Sequence, residues 1–217
     1  MERSLIKEYE HFHAADIYGF GGRHFSFILP HILALKPTSL IDYGAGRSNI
    51  AQNISEKAGI NEIVSFDPAV PVRAIRPQKV FDLLISLDML EHVPEEEMDG
   101  VLSEMASMAN DFLHVIDTRP AKAILSDGRN AHVSQHAEDW WHARLKRFMP
   151  TVRPVPIRHT GRVAFKSWDE ELPAFSHQLI ESREAILMWA IRRFSLSARR
   201  QRRERRRRKA AAVHSDR

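Results

Sequence analysis

The residues best suited to chemistry begin in the run SLIDYGAG, from Ser39 to Gly46. An apolar, strand-like stretch runs into Asp42, and Gly44 and Gly46 follow with one residue between them. Glycine admits positive φ and lets backbone N–H groups approach a ligand, and the helical pattern from Arg47 to Ala58 would turn its N-terminus toward that ligand. A second carboxylate, Asp67, ends the alternating run from Glu62 to Phe66 and is followed by Pro68. In a doubly wound sheet, an acid at that place accepts the ribose hydroxyls of an adenosine-containing cofactor; the plain alternative is a turn capped by an Asp-Pro pair. A third group, Asp88, Glu91 and His92, follows the apolar run DLLISL. His92 titrates near neutrality, so it and Glu91 could supply a general base, or they could simply cap the turn and hold the loop. The fourth group is a polar stretch with Asp127, Arg129, Asn130, His132 and His136, a natural place for a polar substrate. His132 and His136 are four apart, but no third ligand is evident and there is no H-E-x-x-H pattern, so no metal is expected.

These groups need a scaffold. Strands are expected at the Ser39 run, at Glu62 to Phe66, at Asp82 to Leu87 as a parallel strand buried on both faces, and at Phe112 to Ile116. A last antiparallel pair is expected at Val152 to Ile157 and Arg162 to Trp168. Between Pro68 and Gln78 three prolines leave room only for a short or irregular strand, around Val72 to Ile75. Helical spacing marks His24 to Leu35, with Pro30 in the first turn or at a kink, then Asn49 to Ala58, Pro94 to Ala109 and Ala137 to Phe148. Glu95 to Glu97 suit the positive end of a helix dipole. The expected architecture is α/β, a mostly parallel Rossmann-like sheet with an antiparallel C-terminal hairpin and helices on both faces.

The glycine loop departs from the G-x-G-x-x-G of dinucleotide folds and is led by an acid, which would repel a pyrophosphate but suits a cation. With Asp67 and the run FDLLISLDMLEHVPEEE, these residues resemble the class I S-adenosylmethionine-dependent methyltransferases, over about residues 1 to 170. The resemblance implies S-adenosylmethionine as cofactor, bound by Asp42, Tyr43, Gly44, Ala45, Gly46, Asp67, Pro68 and Leu87. It also implies a reacting edge at Asp88, Glu91 and His92, and a substrate edge at Asp127, Arg129, Asn130 and His132. The N-terminal helical segment would cover the cofactor. Two departures stand out: Ser48 occupies the place of a third glycine, and between the expected short third strand and Asp82 there is no acid to bind the adenine amino group.

The 217 residues suffice for one α/β core plus a tail, and the lack of cysteine excludes disulfides, thiolate metal sites and a cysteine nucleophile. No apolar run nears the roughly 20 residues of a membrane span, and the N-terminus lacks a secretory apolar region, so a cytoplasmic protein is expected. A helix is expected from Pro173 to Ser197, then an arginine-rich tail. Residues 198–217 hold ten Lys or Arg against two acids, which puts +8 on the tail and −4 on the rest. The expected function is methyl transfer to an O or N nucleophile of a polar acceptor. The alternative is a non-catalytic protein of the same fold that docks on a polyanion, nucleic acid or anionic membrane, through Arg199 to Lys209.

Overall fold

The computed structural model describes residues 3–14, 21–157 and 161–169. The expected C-terminal helix and the basic tail, with its polyanion contact, lie outside the described residues. Among those residues, no helix is long and apolar enough to cross a membrane.

Six strands among the described residues form one sheet: β1 (Ser39–Tyr43), β2 (Glu62–Phe66), β3 (Phe81–Leu87), β4 (Ala109–Asp117), β5 (Arg153–Val155) and β6 (Arg162–Lys166). Their order is β2-β1-β3-β4-β6-β5. The first four run parallel, and β6 pairs antiparallel with both β4 and β5. Strand alternation distributes the core. Ile41, Tyr43 and Leu84 face α4 (Glu95–Met108) and α5 (Glu138–Lys146), where Met98, Leu102, Met105, Trp141 and Leu145 are buried. Leu40, Leu83 and Ile85 face α2 (Phe25–Leu35) and α3 (Ile50–Ala58), where Phe27, Ile28, Ile32 and Ile54 are buried. Apolar side chains on both faces explain why β3 reads as a continuous apolar run rather than an alternating one.

One expectation is corrected and another is narrowed. No strand forms around Val72 to Ile75; the chain makes a 3-10 turn at Pro71–Arg73 and leaves Val72 and Ile75 exposed. Prolines at 68, 71 and 77 remove the donors a ladder needs, so among the described residues β2 is one edge of the sheet. Pro30 lies in the interior of α2 rather than in its first turn, and the helix continues to Leu35 before Lys36 closes it in the left-handed conformation, its N–H bonded to Ile32 O.

The N-terminal helix expected over the cofactor, at His24 to Leu35, packs on the sheet as α2, and that place is taken by a helix not foreseen, α1 (Arg3–Ala14). It buries Leu5 and Tyr9 against Ala69, Leu125 and Ala131. The Glu8 carboxylate accepts both the N–H and the hydroxyl of Ser126. These contacts fasten α1 to the long segment after β4, and both overlie the carboxyl ends of the parallel strands.

Candidate functional site

The turn after β1 is shaped by backbone chemistry. Gly44 and Gly46 have φ of +77° and +52°. A Cβ on Gly44 would lie 2.1 Å from Met89 Cγ, so this position needs glycine for space as well as for conformation. The N–H groups of Gly44 and Ala45 donate to Phe66 O at 2.8 and 3.1 Å, tying the loop to the end of β2. Arg73 donates to the carbonyls of Gly46 and Ser48, both at 2.8 Å. Ser48, in place of a third glycine, accepts on its hydroxyl the Ile50 N–H, the first of α3, which has no partner within the helix.

Asp42 is buried beside this loop, and its Oδ2 has no hydrogen-bond partner. Burial pushes its pKa from 3.8 up to about 7; the nearby Arg73 charge opposes the rise and that of Asp67 adds to it. A carboxylate held in this way attracts a cation or a donor. Asp67 is engaged on both oxygens, accepting Gly46 N–H at 2.7 Å and Ala69 N–H at 2.8 Å. Each oxygen keeps a second lone pair for an outside hydroxyl.

A cavity of about 710 Å³ opens at this edge of the sheet. Asp42, Tyr43, Gly44, Ala45, Gly46, Asp67, Pro68 and Leu87 all line it, as do Asp88, Glu91, His92 and His132. Parallel strands end together at this edge, so residues from four separate segments meet in one crevice. Tyr9 and His13 of α1 and Arg119 and Arg162 from the far side complete the wall.

Asp88 is not poised as a base. Its φ is +50°, and its carboxylate meets His24 Nε2 at 2.9 Å and Arg162 Nε at 2.9 Å, with Arg23 Nε at 3.5 Å. Burial alone would raise its pKa, but the bonds and charges of His24 and Arg162 outweigh that and hold the carboxyl well below its usual range. Arg162 also pairs with Asp117 at 2.9 Å, and Arg119 makes a fork to the same carboxylate. Asp88 is therefore an ionised hub that joins β3, β4 and β6. Arg162 and His24 were not singled out from the sequence; the one local signal was a charge opening the last apolar strand.

Glu91 and His92 lie in the 3-10 turn Leu90–His92. Glu91 is fully buried; its Oε1 accepts Asp117 N–H at 3.2 Å, and its Oε2 has no partner. Burial, with the charges of Asp88 and Asp117 behind it, drives its pKa well above the ordinary carboxyl value. His92 Nδ1 is 2.9 Å from Ala131 O, and burial with the neighbouring His132 lowers its pKa to about 4, so the ring is neutral at pH 7. His132 packs edge to face on His92, with ring centroids 4.8 Å apart.

The expected substrate loop divides. His132 reaches the cavity, but Asp127 and Arg129 do not line it. They are exposed and pair with each other at 2.6 Å across the Gly128 turn. Two close, opposite charges flanking a turn satisfy one another in solvent, which is why their types resembled a binding loop. Asn130 is a clamp, accepting the N–H groups of Ala121 and His132 and donating to Ala121 O. His136 bonds Glu95 at 2.6 Å and stacks on Trp140, so it does not pair with His132. Asp82, the next acid after Asp67, accepts Thr38 and Ser39 N–H groups at the amino end of β3, away from the cavity.

No protein-family model matches the sequence, and no curated protein matches it. Solved structures do. A candidate O-methyltransferase from Nostoc punctiforme PCC 73102 is similar with a TM-score of 0.53 and 10% identity, over 74% of this chain and 60% of that one. The plantazolicin methyltransferase BpumL, solved in complex with SAH, has a TM-score of 0.53 and 10% identity, over 77% of this chain and 95% of its own. The methyltransferase domain of bacterial CtHen1-C has a TM-score of 0.53 and 11% identity, over 66% and 95%. The strand order, the antiparallel hairpin and these likenesses define one class of fold. This chain has the Rossmann-like fold of the class I methyltransferases.

Proposed function

We propose that this protein binds S-adenosylmethionine at the glycine loop and transfers its methyl group to an oxygen or nitrogen nucleophile. The observation that carries the reading is Asp42, a buried carboxylate with an unpartnered oxygen, at the loop that opens the cavity. The site residues fit this cofactor, which brings an ammonium and a sulfonium and no phosphate. Asp42 and the Gly44 to Gly46 backbone would hold the amino-acid part, Asp67 the ribose hydroxyls, and Leu87 with Asp88 the edge where the methyl group lies. When bound, the cofactor supplies an electrophilic methyl on sulfur. The chain's contribution is alignment and exclusion of water: the Asp88 hub keeps its cations and does not accept a proton, and α1 with the segment after β4 covers the cavity. Alignment alone is a large effect in such transfers, equivalent to roughly 7–11 kcal/mol where the geometry is ideal.

Calorimetric titration with S-adenosylmethionine and S-adenosylhomocysteine tests the proposal. Dissociation constants on the order of micromolar are expected, about −8 kcal/mol. Folded protein that binds neither at millimolar concentration would overturn it.

A further inference from the structure

We infer that Glu91, His92 and His132 together bind a divalent first-row metal cation at the floor of the cavity. Each offers one ligand atom, and these atoms lie within 4.8 Å of one another. Ligands about 2.1 Å from a shared ion are at most ~4.2 Å apart, so gathering them needs side-chain shifts of under about 1 Å.

Two independent features point to an ion rather than to a chance cluster. Glu91 is fully buried on the cavity wall, its Oε2 has no hydrogen-bond partner, and among the described residues no cation pairs with it. The nearby guanidinium groups of Arg119 and Arg162 are committed to Asp88 and Asp117. A buried carboxylate oxygen left in this state lacks the partner that its desolvation demands.

The histidines are the second feature. His92 Nδ1 faces Ala131 O at 2.9 Å, and His132 Nδ1 faces Arg119 O at 2.5 Å. A carbonyl can only accept, so each ring carries its proton on Nδ1 and its lone pair on Nε2. Metal-ligating histidines are held in this way, with the other ring N–H donated to a carbonyl or carboxylate. The surroundings fix the arrangement. Tyr9 donates its hydroxyl to the same Ala131 carbonyl at 2.8 Å, and Ser134 bonds Glu91 O and Val93 O, locking the His132 segment onto the turn that bears Glu91 and His92.

One carboxylate and two imidazoles suit zinc, manganese, iron or cobalt better than calcium or magnesium. Three protein ligands leave coordination positions open toward the cavity, where oxygen donors fit. That the acceptor is a hydroxyl-bearing molecule held on this cation rests on the methyltransferase reading; cation binding itself does not.

The test is titration of metal-free, full-length protein with Co²⁺, followed by visible absorption. One saturable equivalent is expected. Glu91→Gln and His132→Ala should each weaken it at least tenfold, and His136→Ala, outside the cluster, should leave it unchanged. No saturable equivalent, or equal affinity in Glu91→Gln and His132→Ala, overturns the proposal by assigning any uptake to others of the twelve histidines. Should those variants fail to fold, proton NMR of the Co²⁺-loaded parent decides. Two hyperfine-shifted, exchangeable imidazole N–H signals are expected, and their absence refutes the site. Titration of the same samples with S-adenosylhomocysteine separates the two readings: cobalt uptake without cofactor binding sinks only the methyltransferase, and the converse sinks only the cation site.

Discussion

Replacing Asp42 by Asn keeps the side chain's shape and removes its charge, and the structure assigns opposite signs to the two consequences. The Asp42 pKa is raised from 3.8 to about 7 in the folded protein, chiefly by burial. Between those values the folded chain keeps a proton that the unfolded chain has released, so Asp42 makes stability fall as pH rises through this window. The full penalty, present above pH 7, corresponds to roughly 4 kcal/mol. Asp42→Asn should therefore melt higher than the parent at pH 8, with the difference vanishing toward pH 4. Cofactor affinity should move the other way. A ligand ammonium that pairs with the ionised carboxylate recovers part of that penalty, and the loss of a charged hydrogen bond is worth about 1.5–3 kcal/mol, or roughly 10- to 100-fold in affinity. At pH 7 the parent should also release a fraction of a proton on binding, visible as a dependence of the binding enthalpy on the buffer, and Asp42→Asn should not. Thermal unfolding and calorimetric titration with S-adenosylhomocysteine at pH 5, 7 and 8 read all three effects. An Asp42→Asn variant that binds the cofactor as tightly as the parent, or is less stable than it at pH 8, would refute the reasoning.

Further predictions concern the frame of the site. Gly44→Ala should lose about 2–3 kcal/mol of stability in urea unfolding, because its Cβ overlaps Met89 and its φ is positive; Met89→Ala in the same chain should restore part of it. Arg162→Gln leaves Asp88 and Asp117 without a shared cation and should destabilise by about 3 kcal/mol, the low end for a broken buried pair because His24 and Arg119 remain. His114, buried and bonded to Ser86, has its pKa lowered by burial from 6.5 to about 3. The unfolded chain takes up that proton first, so stability should fall as pH drops below 6.5, and His114→Asn should flatten this acid limb in melting curves. Truncation after Ser197 removes a net charge of +8; retention on a polyanion column should be lost with it, and in the parent should fall steeply with salt.

Much of the frame was legible because it depends on interactions within a few residues. The glycine turn declares itself through spacing, the strands through period-two or continuous apolar runs, and α3 and α4 through helical spacing. The carboxyl-edge rule for parallel strands then brings Asp42, Asp67, Leu87 and Asp88 to one crevice. The proline-rich segment was half legible: its prolines ruled out a regular strand, yet only the folded chain shows a 3-10 turn stapled to Asp67, where Arg73 O accepts the Asp67 N–H at 3.1 Å.

Tertiary structure alone decided which charged groups are chemical and which are mechanical. Asp88 and Arg162 meet across 74 residues, and His92 and Ala131 across 39. No local spacing encodes such pairs, since they form only when β6 inserts antiparallel beside β4 and when Tyr9, Asn130 and Ser134 fold the later segment onto the turn after β3. That folding made Asp88, expected at the reacting edge, a saturated hub. It also moved Asp127 and Arg129 to solvent and joined His132 to Glu91 and His92 instead of to His136. The sequence by itself determined the class of sheet and the edge at which ligands bind, because steric and hydrophobic preferences act along the chain. The protonation and partners of each site residue depended on burial and on distant charges, which exist only once the chain has closed around them.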